Sequence, residues 1–192
     1  MLVTLDANYI RAALTHAAKK DVRTYLETVS IRVLDSNRVG AYATDRHRAF
    51  AAGAENITPV EGMTGTEFAF MAKGVKIPAK CSIVTLLVDG DAVTINGETS
   101  APIAPPYRKP VSRLILSVWQ SYTEHAGEVY EWAPEYLVAA EKALSPFGPV
   151  SYARRGNSLH LSSDEADAAV LILSRRPHPV TQRMDLVALF GS

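Results

Sequence analysis

The sequence predicts an α+β fold in which antiparallel sheets carry helices on one face. Short stretches of alternating apolar and polar residues, separated by tight turns, are typical of half-buried hairpins. Only a few stretches repeat apolar residues with helical spacing. A pattern of strand, helix and short strands also recurs at intervals of about 60 residues, which indicates a structural repeat.

The first unit begins with an amphipathic helix over residues 7–20. Apolar residues recur at helical spacing from Ile10 to Ala18, and Asp6 is positioned to cap the helix. Alternation and turn residues then predict three strands, at Val29–Leu34, Val39–Ala43 and Ala49–Ala52.

The second unit begins with a strand at Phe68–Met71 and a short helix from Ala72, which Pro78 must end or kink. Its remaining strands are predicted at Ser82–Val88, Ala92–Asn96 and Thr99–Ile103. Residues 104–110 are rich in proline and indicate a linker. The apolar stretch Val111–Ser121 fits either a strand or a helix.

The third unit has a strand near Val129–Trp132 and a helix that begins at Pro134, a residue suited to the first helical turn. Its remaining strands are predicted at Val150–Ala153, Ser158–Leu161 and Ala168–Leu173.

The composition is that of a globular protein, with 47% hydrophobic and 21% charged residues among 192. The formal net charge is +0, which excludes a uniformly basic nucleic-acid binder but allows a basic face balanced by an acidic one. Cys81 alone cannot form an internal disulfide or a Cys-rich zinc site. Without a long apolar run or a signal peptide pattern, we expect a soluble, cytoplasmic protein.

No catalytic motif is present in the sequence. It has no Gly-rich phosphate loop, no nucleophile elbow and no paired histidines on a helix. The five histidines lack metal-ligand spacing. Asp164 and Glu165 are interpreted as a solvated turn, and Cys81 as an inert thiol. We therefore expect neither an enzyme nor a bound metal or cofactor.

One short motif indicates a protein family more specifically than the composition or the pattern of strands and helices does. Ala43–Ala49, with the sequence A-T-D-R-H-R-A, resembles the A-T-D-G-H-R-L segment of bacterial DNA polymerase III beta subunits, the sliding clamps. Further segments resemble that family in the same order, at Met71–Val75, Pro105–Lys109, Ala126–Leu137 and Ala168–Pro177. The chain is thus similar to a shortened member of the clamp family, with the DNA-clamp architecture, over most of its length.

The resemblance implies a complete clamp-like domain at residues 1–110, a shortened second one at 111–177 and a C-terminal tail at 178–192. A bacterial clamp subunit carries three such domains and closes a ring as a dimer. This shorter chain could close a ring only as a homo-oligomer of more copies, through a head-to-tail contact.

The resemblance also implies a surface for double-stranded DNA, formed by basic residues on or near the helices. Contacts to phosphates give affinity without reading sequence, which sliding requires. The alternative is an ordinary solvated surface. The predicted DNA-binding residues are Arg11, Lys19, Lys20, Arg23, Lys73, Lys76 and Lys80.

A second implied surface is a pocket for a short apolar motif of a DNA polymerase or another replication protein. The matching positions are Thr44, His47, Arg48, Ala49, Pro105, Tyr107, Leu173 and Arg175. Arg46 replaces a glycine of the family pattern, Ala49 replaces a leucine, and both methionines of the last family strand are missing. We therefore expect a smaller and more basic pocket.

The tail carries apolar residues after a glutamine, similar to the motif by which polymerases bind clamps. The positions concerned are Gln182, Leu186, Leu189 and Phe190. The spacing is longer than usual, and the favoured interpretation is an apolar tail that packs on its own domain. It can also dock on a neighbouring copy or on a conventional clamp.

Two functions remain open at this point. The first is a sliding-clamp-like processivity factor in replication or repair, which binds DNA non-specifically and tethers a polymerase. The alternative is a clamp-derived interaction protein that does not encircle DNA and regulates replication by binding a polymerase or a conventional clamp. A small enzyme is disfavoured because no site supports it.

Overall fold

A computed structural model of the chain describes residues 1–104, 111–120 and 132–174. The described elements, in chain order, are β1 Leu2–Asp6, α1 Ala7–His16, β2 Thr28–Asp35, β3 Arg38–Thr44, β4 Arg48–Glu55, β5 Glu67–Met71, β6 Ile83–Asp89, β7 Ala92–Ile95, β8 Thr99–Pro102, α2 Val111–Gln120, α3 Pro134–Leu144, β9 Val150–Arg155, β10 Ser158–Ser163 and β11 Ala168–Leu173.

The strands form two antiparallel sheets, as the alternation predicts. A four-stranded sheet has the order β1-β6-β7-β8, and a seven-stranded sheet has the order β5-β2-β3-β4-β11-β10-β9. The pairing of β4 with β11 joins strands far apart in the chain, with Phe50 opposite Val170 and Ala49 opposite Leu171. One continuous sheet therefore connects the first and third predicted units.

The helix α1 ends earlier than its apolar pattern predicts. The Asp6 carboxylate accepts a hydrogen bond from the Asn8 backbone N–H at 2.7 Å and caps the first turn. After His16 the backbone becomes extended at Ala17, and the Ala18 N–H donates to the Leu26 carbonyl at 2.8 Å. Ala17 still donates to the Ala13 carbonyl at 3.0 Å, and the tertiary hydrogen bond replaces the helical bond that the Ala18 N–H would otherwise make.

The seven-stranded sheet carries helices on both of its faces, whereas the sequence predicted helices on one face only. Successive strand residues point to opposite faces. Ala41 and Ala43 join the main core beneath α1, whereas Tyr42 between them packs with Val111 and Ile115 of α2. The helices α1 and α3 lie together on one face, and α2 lies on the other.

The short helix expected from Ala72 is absent, and this prediction was wrong. Gly74 has a φ of 82°, outside the right-handed helical region, and Pro78 lacks the N–H that a helix interior needs. Residues 72–82 instead form turns beside α1, where the Ala7 N–H donates to the Ser82 carbonyl at 2.9 Å. The second unit therefore has strands but no helix in the part of the chain that is described.

The ambiguous stretch after the linker is resolved as the helix α2. The strand predicted near Val129–Trp132 and the linker at 105–110 lie largely outside the described residues. In the described part of the chain, no helix combines the length and the apolar character needed to cross a bilayer.

Candidate functional site

A cavity of about 340 Å³ opens on the sheet face that carries α2. We call it the outer cavity. It lies between α2, the segment before β2 and the strands β3, β4 and β11. Its lining residues are Arg23, Tyr25, Leu26, Thr44, Arg46, Arg48, Ala49, Leu114, Ile115, Ser117, Leu171 and Leu173. Leu26, Ala49, Ile115 and Leu171 are buried, so the cavity has an apolar floor.

The turn between β3 and β4 forms one edge of the outer cavity. The Asp45 carboxylate accepts from the backbone N–H of His47 at 3.0 Å and of Arg48 at 2.8 Å. The Thr44 hydroxyl donates to the Arg48 carbonyl at 2.8 Å. Arg46 adopts a φ of 82°, a left-handed conformation that favours glycine, which is the residue the clamp pattern has at this position.

Three arginines lie around the apolar floor. Arg23 and Arg46 both pair with Asp21, at 3.1 and 3.2 Å. The hydrogen bond from the Arg23 backbone N–H, followed by the two guanidinium groups, lowers the pKa of Asp21. The Arg48 guanidinium pairs with the Asp45 carboxylate, with Nη2 at 2.6 Å, and lies over the Tyr136 ring of α3 at 5.0 Å, so it is directed toward α1 and α3 and not into the cavity. Arg23 and Arg46 are therefore the fixed cations at the rim.

The structure brings half of the predicted pocket residues to this cavity: Thr44, Arg48, Ala49 and Leu173. His47 is not among the lining residues, because its ring stacks on Tyr136 of α3 at 5.8 Å. The positions Pro105, Tyr107 and Arg175 lie outside the described residues, as do the tail positions Gln182, Leu186, Leu189 and Phe190.

The wall supplied by α2 is a feature that the sequence did not assign. Leu114, Ile115 and Ser117 of α2 line the outer cavity. The spacing of Val111, Leu114 and Ile115 is the sequence signal that favours an amphipathic helix here. It does not say which surface the helix covers.

A carboxylate holds the first turn of α2 against the sheet. Glu67 of β5 accepts from the Ser112 backbone N–H at 3.2 Å and also from the hydroxyl groups of Ser112 and Ser30. Both serines are fully buried. A carboxylate at this position also interacts favourably with the positive end of the helix dipole. Glu67 therefore positions the cavity wall without lining the cavity.

The opposite side of the sheet presents α1, α3 and residues 72–82, which we call the helical face. A groove of about 340 Å³ runs between α1 and α3. The lysines Lys73, Lys76, Lys80 and Lys142 are all exposed here. Glu135 and Glu141 of α3 add negative charge to the same face.

The other predicted DNA-binding residues have different environments. Arg11 donates to Asn8 Oδ1 at 2.9 Å and to the backbone carbonyl groups of Pro78, Ala79 and Cys81, so it fastens residues 72–82 to α1. Lys19 and Lys20 are exposed beyond the end of α1. Arg23 lies at the outer cavity rather than on the helical face.

A larger cavity, of about 620 Å³, lies near the start of α1 and is acidic. Asp6, Glu55, Glu165 and Asp167 line it together with Arg38. Burial, followed by nearby carboxylates, raises the pKa of Tyr9 beside it. Within residues 1–104, 111–120 and 132–174, no group of three or more His, Cys, Asp or Glu side chains is arranged to hold a metal ion.

No known protein-family profile and no curated protein sequence matches this chain. Solved structures do match it. The DNA polymerase III beta subunit of Thermotoga maritima is 14% identical and has a TM-score of 0.64, over 100% of this chain and 68% of that one. The DNA polymerase III beta chain of Streptococcus pneumoniae is 12% identical and has a TM-score of 0.65, over 92% of this chain and 65% of that one. The sliding clamp of Pseudomonas aeruginosa is 12% identical and has a TM-score of 0.64, over 92% and 67%.

The chain therefore has the sliding-clamp fold, and the fold predicted from the motifs is confirmed. It spans about two thirds of the length of these clamp chains.

Proposed function

We propose that this protein is a sliding-clamp-like processivity factor. Its helical face binds double-stranded DNA without sequence preference, and its outer cavity takes a short apolar segment of a DNA polymerase or another replication protein. The role is one of tethering and requires no catalytic group.

The observation that carries the proposal is that the two candidate surfaces lie on opposite faces of one sheet. The helical face and the outer cavity share the strands β3 and β4, because alternate residues of these strands point to opposite sides. DNA and a partner can therefore be held at the same time without competing for the same residues.

The outer cavity suits a short peptide better than a broad protein surface. Short recognition motifs bind through two or three apolar anchors in a groove, and specificity comes from polar groups at its edge. Here Leu26, Leu171 and Leu173 offer the apolar contact, and Arg46 at the rim favours an acidic group beside the anchors.

We further propose a clamp-like domain at residues 1–110, a shortened one at 111–177 and a tail at 178–192. The β4–β11 pairing supports a rigid connection between the two domains. In this proposal, several copies joined head to tail encircle the DNA.

The salt dependence of DNA binding tests the DNA part of this proposal. Replacing Lys73, Lys76 and Lys80 with Gln removes three exposed cations from the helical face. Each lost phosphate contact reduces the slope of log K against log salt concentration by about 1, and affinity falls equally for unrelated duplexes.

The matched control is a cation on the opposite side of the sheet. We expect Lys76→Gln to weaken DNA binding and Arg113→Gln, on the exposed side of α2, to leave it unchanged. Equal losses from both single variants, or no salt-dependent binding by the wild type, would contradict the DNA part of the proposal.

Two observations favour the second candidate function, a clamp-derived interaction protein that does not encircle DNA. The helix expected from Ala72 is absent, and Arg11 is engaged with backbone carbonyl groups instead of facing solvent freely. Peptide binding at the outer cavity without any DNA affinity would support this candidate over the first.

A further inference from the structure

The outer cavity lies where the described part of the chain ends. Leu173 lines the cavity, and its backbone N–H donates to the His47 carbonyl at 2.8 Å. Ser174 follows and donates to the Asn157 carbonyl at 2.8 Å. These two hydrogen bonds fix the point from which residues 175–192 continue, directly at the cavity.

The chain that follows is first basic, with Arg175, Arg176 and Arg183, and then apolar, and only its apolar part is complementary to the floor of the cavity. Residues 184–190 read Met-Asp-Leu-Val-Ala-Leu-Phe, six apolar residues and one acid. The cavity has an apolar floor with arginines at its rim. Leu189 and Phe190 can fill the floor while the Asp185 carboxylate meets a guanidinium group such as that of Arg46.

The connecting chain is long enough for this docking within one molecule. Between Ser174 and Leu186 the backbone can extend by about 3.3 Å per residue, or about 40 Å in all. Ser174 directly follows Leu173, which lines the cavity, so this reach exceeds the distance that the chain must cover. A short connection within one molecule gives an effective concentration in the millimolar range. Even a weak apolar contact is then largely formed.

We propose that residues 182–190 of this chain occupy the outer cavity of the same molecule and compete there with the partner's segment. The proposal rests on the proposed function, in that the cavity must be able to bind an apolar peptide. It adds that a partner reaches the cavity only by displacing this chain's own tail.

A labelled peptide with the sequence of residues 180–192 tests the proposal by fluorescence anisotropy, without DNA. We compare the full wild-type chain with the full chain carrying Leu189→Ala and Phe190→Ala. With millimolar effective concentration and a peptide of about 100 μM affinity, the tail reduces apparent binding by about 10-fold. The double variant is therefore expected to bind the peptide about 10-fold more tightly than the wild type.

Two further variants test whether the peptide binds at the outer cavity. Ser117→Trp, at an exposed position of the cavity wall, should abolish peptide binding in the double-variant background without disturbing the core. Leu87→Ala, at an exposed leucine of the four-stranded sheet, is the matched control and should leave the weak binding of the wild type unchanged.

The outcomes separate this proposal from the proposed function. Equal, measurable binding by wild type and double variant overturns tail docking but keeps a peptide-binding cavity. No binding by either chain overturns both tail docking and the partner-binding part of the proposed function. Sedimentation at several protein concentrations tests whether the tail docks on a second copy instead. If the wild type self-associates and the double variant does not, the tail docks on a second copy, and docking within one molecule is overturned.

Discussion

The contact between Glu67 and the first turn of α2 gives the most detailed test of the cavity architecture. The Glu67 side chain accepts from the Ser112 backbone N–H and from the hydroxyl groups of Ser112 and Ser30. Glu67→Ala removes all three hydrogen bonds at once. Because α2 forms a wall of the outer cavity, the substitution tests both stability and binding.

The expected magnitude follows from the burial of the two serines. Ser30 and Ser112 are both 0% exposed, so the Glu67 carboxylate and not water accepts the hydrogen bonds of their hydroxyl groups. Each buried hydroxyl left without its partner costs about 1–3 kcal/mol. With partial relaxation, we expect Glu67→Ala to lower the free energy of unfolding by about 3 kcal/mol and Tm by about 6–12 °C.

Chemical denaturation and the peptide titration measure the two consequences. Glu67→Gln keeps the shape and one acceptor oxygen, so it should cost about 1 kcal/mol. Glu61→Ala removes an exposed acid between β4 and β5 and should cost less than about 0.5 kcal/mol. If Glu67→Ala is no worse than Glu61→Ala, and peptide binding in the tail double variant is unaffected, the assignment of Glu67 as the anchor of α2 is wrong.

Three further predictions concern the core and the turn. Burial lowers the pKa of His16 to about 4, so the unfolded chain binds an extra proton between its ordinary value of 6.5 and 4, and stability falls as the pH drops through this range. Between pH 7 and pH 4.5 the wild type should lose about 2–3 kcal/mol more than His16→Phe in denaturant titrations; equal losses would contradict a buried neutral imidazole. A Cβ at Gly40 would lie 2.4 Å from the Tyr42 hydroxyl oxygen, so Gly40→Ala should destabilise by about 1–3 kcal/mol, and an unchanged unfolding midpoint would refute this close approach. Arg46→Val should be less stable than Arg46→Gly by about 1–2 kcal/mol because of the left-handed backbone, although both lose the ion pair to Asp21; the reverse order in thermal unfolding would show that the backbone is not strained there.

The strands were predictable because each has a local signature. Alternation and turn residues indicated the hairpin strands to within a few residues, since one face of each strand is buried and the other is not. Helix ends were less predictable. The apolar pattern continues past His16, but the hydrogen bond between Ala18 and Leu26 ends α1 early. That contact depends on the fold and has no signal in the local sequence.

The candidate site was predictable only where a motif marks it. The Thr44–Ala49 segment pointed to the pocket because it resembles the clamp motif, whereas the left-handed backbone at Arg46 had no signal in the sequence, since an arginine stands where the motif has glycine. The position of α2 over Tyr42 was not predictable, since an amphipathic helix does not specify the surface that it covers. Arg11 could not be distinguished from a solvent-facing cation, because its carbonyl partners lie about 70 residues away in sequence.

The proposed encirclement of DNA is tested most directly by the topology of the DNA. The protein is bound to a closed circular duplex, and the complex is washed at moderate salt. A single cut then makes the same DNA linear, and the protein that remains bound is measured before and after the cut. With encirclement, the protein stays on the circle through the wash and is lost after the cut, because only a linear duplex has ends. Retention that is the same before and after the cut would contradict encirclement.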